Sequence, residues 1–179
     1  MPDPATLCGC IRWCAQKFPA SRYGLILWDH GGGSVSGYGY DEKFASTGSM
    51  SRSGVDEALK DAGVTFDFVG FDACLMATAE TALMLTEHAD YLIASEETEP
   101  GVGWYYTDWL TALGKNPSMP TIEIGQGIVD SFVDTCAQKC RGQLTTLSVI
   151  DLAELEATLP KALADFSRST SRMIEAKEY

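Results

Sequence analysis

Apolar positions along the chain follow two alternating rhythms, one with helical spacing and one continuous. Leu7, Ile11, Cys14 and Phe18 recur at three- and four-residue intervals, which predicts a helix over 5–17 that Pro19 stops. The unbroken apolar run YGLILWD at 23–29 then predicts a strand buried on both faces. His30-Gly31-Gly32-Gly33 follows it, and the Gly- and Ser-rich stretch 31–54 predicts a long loop of the kind that carries function or moves. Ser51 or Ser53 caps a helix over 55–62, which Gly63 closes. A second buried strand spans 64–72, and a helix is predicted over 75–88 with Leu75, Ala79, Ala82 and Leu83 on one stripe. The third strand, 91–95, leads into an acidic stretch with Gly and Pro at 96–103. Helices over 104–113 and 121–139, a strand over 144–151 and a helix over 152–167 interrupted by Pro160 complete the pattern.

Strands alternating with helices predict an α/β fold, a mostly parallel sheet flanked by helices on both faces. No repeat or linker divides the chain, so residues 1–179 read as one domain. Its first element is a helix where a parallel α/β domain often begins with a strand. The expectation is therefore a partial domain, a fragment lacking flanking strands, whose open sheet edge would invite association.

Charge and composition narrow the function. Thirteen basic against 25 acidic residues give a net charge of −12, which argues against nucleic acid as a partner because that affinity rests on clustered Lys and Arg. No apolar run reaches the ~18 residues of a membrane span. The N-terminal Met1-Pro2-Asp3-Pro4 has neither the basic nor the apolar region of a signal peptide. Of six cysteines, Cys10 and Cys14, and Cys136 and Cys140, stand four apart and share helix faces. Zinc is the minor reading for them and buried free thiols the major one, since structural zinc favours Cys-x-x-Cys turns. His88, late in a predicted helix, is explained by a dipole contact.

Ligands of open parallel sheets sit beyond the strand carboxyl ends. His30 occupies that place on the first strand and Cys74 on the second. A thiol acts as a nucleophile at neutral pH when its pKa is lowered or a base is at hand, and imidazole supplies either. Gly31 leaves its N–H unobstructed, and the Cys74 amide, expected at a helix start, offers a second donor to an oxyanion. Either residue alone reads as structural; together, at neighbouring strand ends, they read as a dyad. Asp29 is expected on the other strand face, in a structural role.

YGLILWDHGGG at 23–33 and FDFVGFDACLMATAE at 66–80 resemble the two signature blocks of the clostripain-like cysteine peptidases, and SEETEPGVGW at 95–104 is similar to a third. The resemblance implies a caspase-hemoglobinase-like fold and a cysteine endopeptidase acting on protein or peptide substrates. It implies His30 as general base, Cys74 as nucleophile and the Gly31 and Cys74 amides as oxyanion hole. Asp72 would lie at the bottom of an S1 pocket for a P1 Arg or Lys, because a guanidinium favours a bidentate charged acceptor. Val102 stands where some members carry a second acid, which weakens that preference. The resemblance also implies a secreted or cell-envelope location and self-cleavage between His and Cys, with Lys43 favoured over Arg52 because Arg52 abuts a helix. The chemistry requires no cofactor. Calcium is implied only by the resemblance; Glu96, Glu97 and Glu99 supply oxygens, but no Ca²⁺ loop motif is present. Two other readings are a non-catalytic surface-binding module using Tyr38, Tyr40, Trp104, Tyr105 and Tyr106, and a transpeptidase sharing the acyl-enzyme. Oligomeric state is not legible.

Overall fold

In a computed structural model that describes residues 3–177, helix α1 (Pro4–Lys17) precedes strand β1 (Gly24–Trp28) and a single helical turn, α2 (Gly33–Ser36). A 3₁₀ turn (Glu42–Thr47) leads to α3 (Arg52–Ala62), β2 (Phe66–Asp72), α4 (Ala79–Leu85) and β3 (Ala89–Ala94). Helices α5 (Tyr106–Lys115) and α6 (Thr121–Lys139), strand β4 (Ser148–Asp151) and α7 (Leu152–Ala176) follow. The sheet order is β1-β2-β3-β4, parallel across the first three strands and antiparallel at β4. One helical excursion between strands gives a parallel return. The two helices α5 and α6, packed on one another between β3 and β4, reverse the direction.

Alternation along the strands divides two apolar layers. Leu27, Val69, Phe71, Leu92 and Ala94 meet α1, α3, α4 and α7 through Leu7, Ile11, Val55, Leu59, Leu85 and Leu152. Phe68 and Ile93 meet α5 and α6 through Trp104, Trp109, Ile124, Ile128 and Phe132. Both faces of β2 are covered, which is why its sequence is nearly continuously apolar. Gly70 lies where a Cβ would stand 2.8 Å from the Trp104 ring, so its lack of a side chain admits the indole.

Four local expectations are corrected. Ser51 caps α3 and Gly63, at φ 67°, ends it as the sequence predicts, but 31–54 is not a structureless loop. Tyr38 is buried and exchanges two backbone hydrogen bonds with Met50, so the segment is tied down as a small ribbon. The helix expected from Leu75 starts only at Ala79, because Leu75 is in the left-handed region (φ 64°) and Thr78 caps α4 by accepting from the Thr81 N–H. Helix α7 runs through Pro160 and extends to Ala176. His88 lies beyond α4, buried, with Nε2 2.7 Å from Asp56 Oδ1; a side-chain partner, not a helix end, accounts for it.

Candidate active site

The pairing of β1 with β2 ends at Trp28↔Asp72, so the two chains leave the sheet side by side, and His30 and Cys74 each lie two residues beyond that pair. They open into one cleft of about 470 Å³ lined by both of them and by Trp28, Asp29, Asp72, Ala73, Glu99, Pro100, Gly101 and Gly103. Gly31 fastens the two exits together. A Cβ built there would lie 2.0 Å from the Cys74 carbonyl oxygen, a distance no side chain can occupy. The missing side chain at 31 lets the two loops touch.

The His30 ring is exposed and meets Tyr40 edge-on, with centroids 6.4 Å apart. The Asp29 carboxylate accepts from the His30 backbone N–H at 2.6 Å. Cys74 is half-buried; its Sγ accepts from the Glu99 N–H at 3.3 Å and lies 3.9 Å from the Glu99 carbonyl. Among the described residues no hydrogen bond joins Sγ to the imidazole, so the thiol rests against the Glu99 backbone while the ring stands free at the rim. The left-handed Leu75 gives its N–H to the Glu97 carbonyl, and Ala77 gives its own to Ser95. This turn, not a helix start, presents Cys74, which corrects the expected helix dipole at its amide. Neither the Gly31 nor the Cys74 N–H donates to a protein acceptor among the described residues.

Asp72 is 4% exposed and turned to the α5 side of the sheet. Both its oxygens accept from the Trp104 N–H at 3.2 Å, and Oδ2 accepts from the Tyr106 hydroxyl at 2.8 Å. Burial and the neighbouring Asp72 push the Tyr106 phenol well above its ordinary range. Gly103, at φ 62°, lets the 100–103 turn approach until a Cβ there would stand 3.1 Å from Asp72 Oδ1. Val102 is exposed and forms an apolar wall beside Asp72 in an adjoining hollow.

Sequence reasoning considered Glu99 only as an oxygen donor to calcium and gave it no place at the cleft. Its two carboxylate oxygens are out of contact with solvent and without a hydrogen-bond partner, as is the Trp104 Nε1. Burial first, and then repulsion from Asp72, push it up to about 8. In the sequence it is one acid in a run of acids, the pattern of a solvated surface; the only cue was its place just before Pro-Gly.

Other expected residues lie elsewhere. Lys43 is exposed in the 3₁₀ turn and does not line the cleft, and Arg52 opens α3. The cysteine pairs sit on α1 and at the end of α6, which cover opposite faces of the sheet, so the four thiols do not converge; all six cysteines are free, but Cys10 and Cys14 are exposed and not buried as expected. No group of three or more His, Cys, Asp or Glu suited to a metal ion exists among the described residues. Glu96 accepts from the Ser148 hydroxyl while Glu99 is buried, so the acids considered for calcium do not gather around one point and do not fit such an ion.

Known proteins share this architecture. The chain is 30% identical over 122 residues to clostripain of Hathewaya histolytica, covering 59% of this chain and 23% of that one. It superposes with TM-score 0.73 and 27% identity on a secreted C11 cysteine protease from Bacteroides thetaiotaomicron, solved with an irreversible peptide inhibitor, covering 87% of this chain and 47% of that one. An inactive zymogen C11 protease from Parabacteroides distasonis matches with TM-score 0.67 and 27% identity, over 87% and 41% of the two chains. The chain thus spans less than half the length of these relatives. The model of the clostripain family, peptidase family C11, matches residues 1–178, and with the strand ends and cleft described above, the chain belongs to the clostripain family.

Proposed function

We propose that this chain carries the catalytic centre of a cysteine endopeptidase, with His30 as general base and Cys74 as nucleophile. The observation that carries the reading is the backbone contact of Gly31 with Cys74, which holds an exposed imidazole and a half-buried thiol at one cleft. Family membership and the two solved C11 proteases support the reaction class. The imidazole takes the thiol proton, and Sγ attacks the scissile carbonyl carbon as the carbonyl electron pair moves to oxygen. That oxygen accepts from the unengaged Gly31 and Cys74 N–H groups, an arrangement worth roughly 3–4 kcal/mol per donor in other enzymes. The imidazolium gives its proton to the leaving amine as the C–N bond breaks. Water then attacks the thioester, its proton passes to the imidazole, and the thiolate departs.

Asp72, buried beside the dyad, serves in this reading as the floor of an S1 pocket for Arg or Lys. Substrates are proteins or peptides, and a secreted location accords with the secreted relative. Self-cleavage after Lys43 is part of the reading, supported by that residue's exposure between His30 and Cys74. Full-length protein should hydrolyse a P1-Arg peptide, and Cys74→Ala and His30→Ala should each lower kcat/KM by about 1,000-fold or more. Activity retained in Cys74→Ala would overturn the reading. Intact mass should show a cut after Lys43 in the wild type and none in Cys74→Ala.

A further inference from the structure

We propose that Glu99 is the second carboxylate of the S1 subsite, so that Asp72 and Glu99 together select a cationic P1 side chain and its binding releases a proton from Glu99. The proposal rests on the reading of Asp72 as the S1 floor. The family resemblance left this chain one acid short at Val102; Glu99, three residues earlier, supplies one in this reading. Glu99 and Asp72 line the same cleft, and both Glu99 oxygens are shielded from solvent yet accept nothing. A carboxylate in that state lacks both water and donors, which is costly unless a ligand brings them. A guanidinium carries five N–H donors and the missing positive charge.

Burial and Asp72 disfavour the Glu99 anion; the Trp104 indole alone opposes them, favouring the charged form, and its Nε1 makes no hydrogen bond among the described residues. Asp72 approaches from β2 and repels Glu99, and its own hydrogen bonds come from Trp104 and Tyr106. The Cys74 thiol meets the Glu99 backbone, and the Tyr106 phenol from α5 and the Cys136 thiol from α6 are both raised in part by the Glu99 charge. No Lys or Arg forms an ion pair with Glu99 or Asp72 among the described residues. Without substrate Glu99 therefore keeps its proton up to about pH 8. An arriving P1 cation stabilises the anion and the proton leaves to solvent. Asp72, with its donors from protein, is the permanent acceptor and Glu99 the conditional one.

The test compares kcat/KM for two peptides differing only at P1, arginine or its neutral isostere citrulline, in the full-length protein from pH 6.5 to 9. Titration of the dyad acts on both substrates and cancels in the ratio. In the wild type the arginine-to-citrulline ratio should rise up to about tenfold between pH 7 and 9, as a group near 8 ionises. In Glu99→Gln the ratio should be smaller and flat with pH. The same rise in Glu99→Gln would overturn the role of Glu99 while leaving a basic S1 pocket standing. A variant that loses both cleavages would overturn it too, because Glu99 would then serve the dyad and not P1 selection. A wild-type ratio near one at every pH would overturn the S1 reading and this inference with it.

Discussion

At the scale of single residues, the site depends on one absent side chain and one unpaired one. Gly31→Ala would force a methyl into the Cys74 carbonyl, so the two loops must part. A displacement of about 1 Å between reacting groups can cost ~100-fold in rate, and kcat/KM of that variant should fall by at least that much while the circular-dichroism spectrum stays native. Glu99 makes the opposite kind of prediction. Its pKa in the folded chain stands near 8 against an ordinary 4.5, so between these values the folded state holds more proton than the unfolded one. Stability then falls as pH rises through that window. Glu99→Gln should melt a few degrees above wild type at pH 9, with the gap closing toward pH 5; a gap independent of pH would contradict the buried-acid description. The placement of His30, Cys74 and Asp72 at one rim was legible because each lies at or just beyond the end of an apolar strand, a position that the pattern of hydrophobicity marks. Glu99 was not, because burial of an acid within an acidic run is decided by the tertiary approach of the 100–103 turn to Asp72.

Secondary-structure elements were legible wherever a periodic run met a capping residue or a glycine. The ends of α3 follow Ser51 and Gly63, and α1 stops at Lys17 ahead of Pro19. The errors fall where tertiary contacts override local preference. Leu75–Thr78 has the composition of a first helical turn, yet the Leu75 and Ala77 N–H groups are claimed by Glu97 and Ser95, and the chain there stays open beside Cys74. The direction of β4 likewise depends on how α5 and α6 lie against each other, which no local pattern encodes. At the centre of β3, Leu92 is fully buried between α7 and the strands on either side, and Leu92→Ala should lower unfolding free energy by about 2–5 kcal/mol in denaturant titration. In α7, Pro160 removes the N–H that would reach the Glu156 carbonyl. Pro160→Ala should slow amide hydrogen exchange over 157–168 without altering peptide cleavage.

Across the whole molecule, one sheet with an apolar layer on each face delivers two distant segments to the same rim. The first layer, under α1, α3, α4 and α7, fixes the β1 and β2 exits through Leu27, Phe71 and Ala73. The second places Trp104 and the α5–α6 pair behind Asp72. The first layer therefore positions both members of the proposed dyad and the second positions the Asp72 side, so the proposed site depends on both layers. The most direct test is peptide mapping by mass spectrometry after the full-length protein reacts with a peptidyl acyloxymethyl ketone bearing P1 Arg. The account predicts alkylation of Cys74 that is abolished or strongly slowed in His30→Ala. Alkylation confined to the exposed Cys10 or Cys14, with Cys74 unmodified, would contradict it.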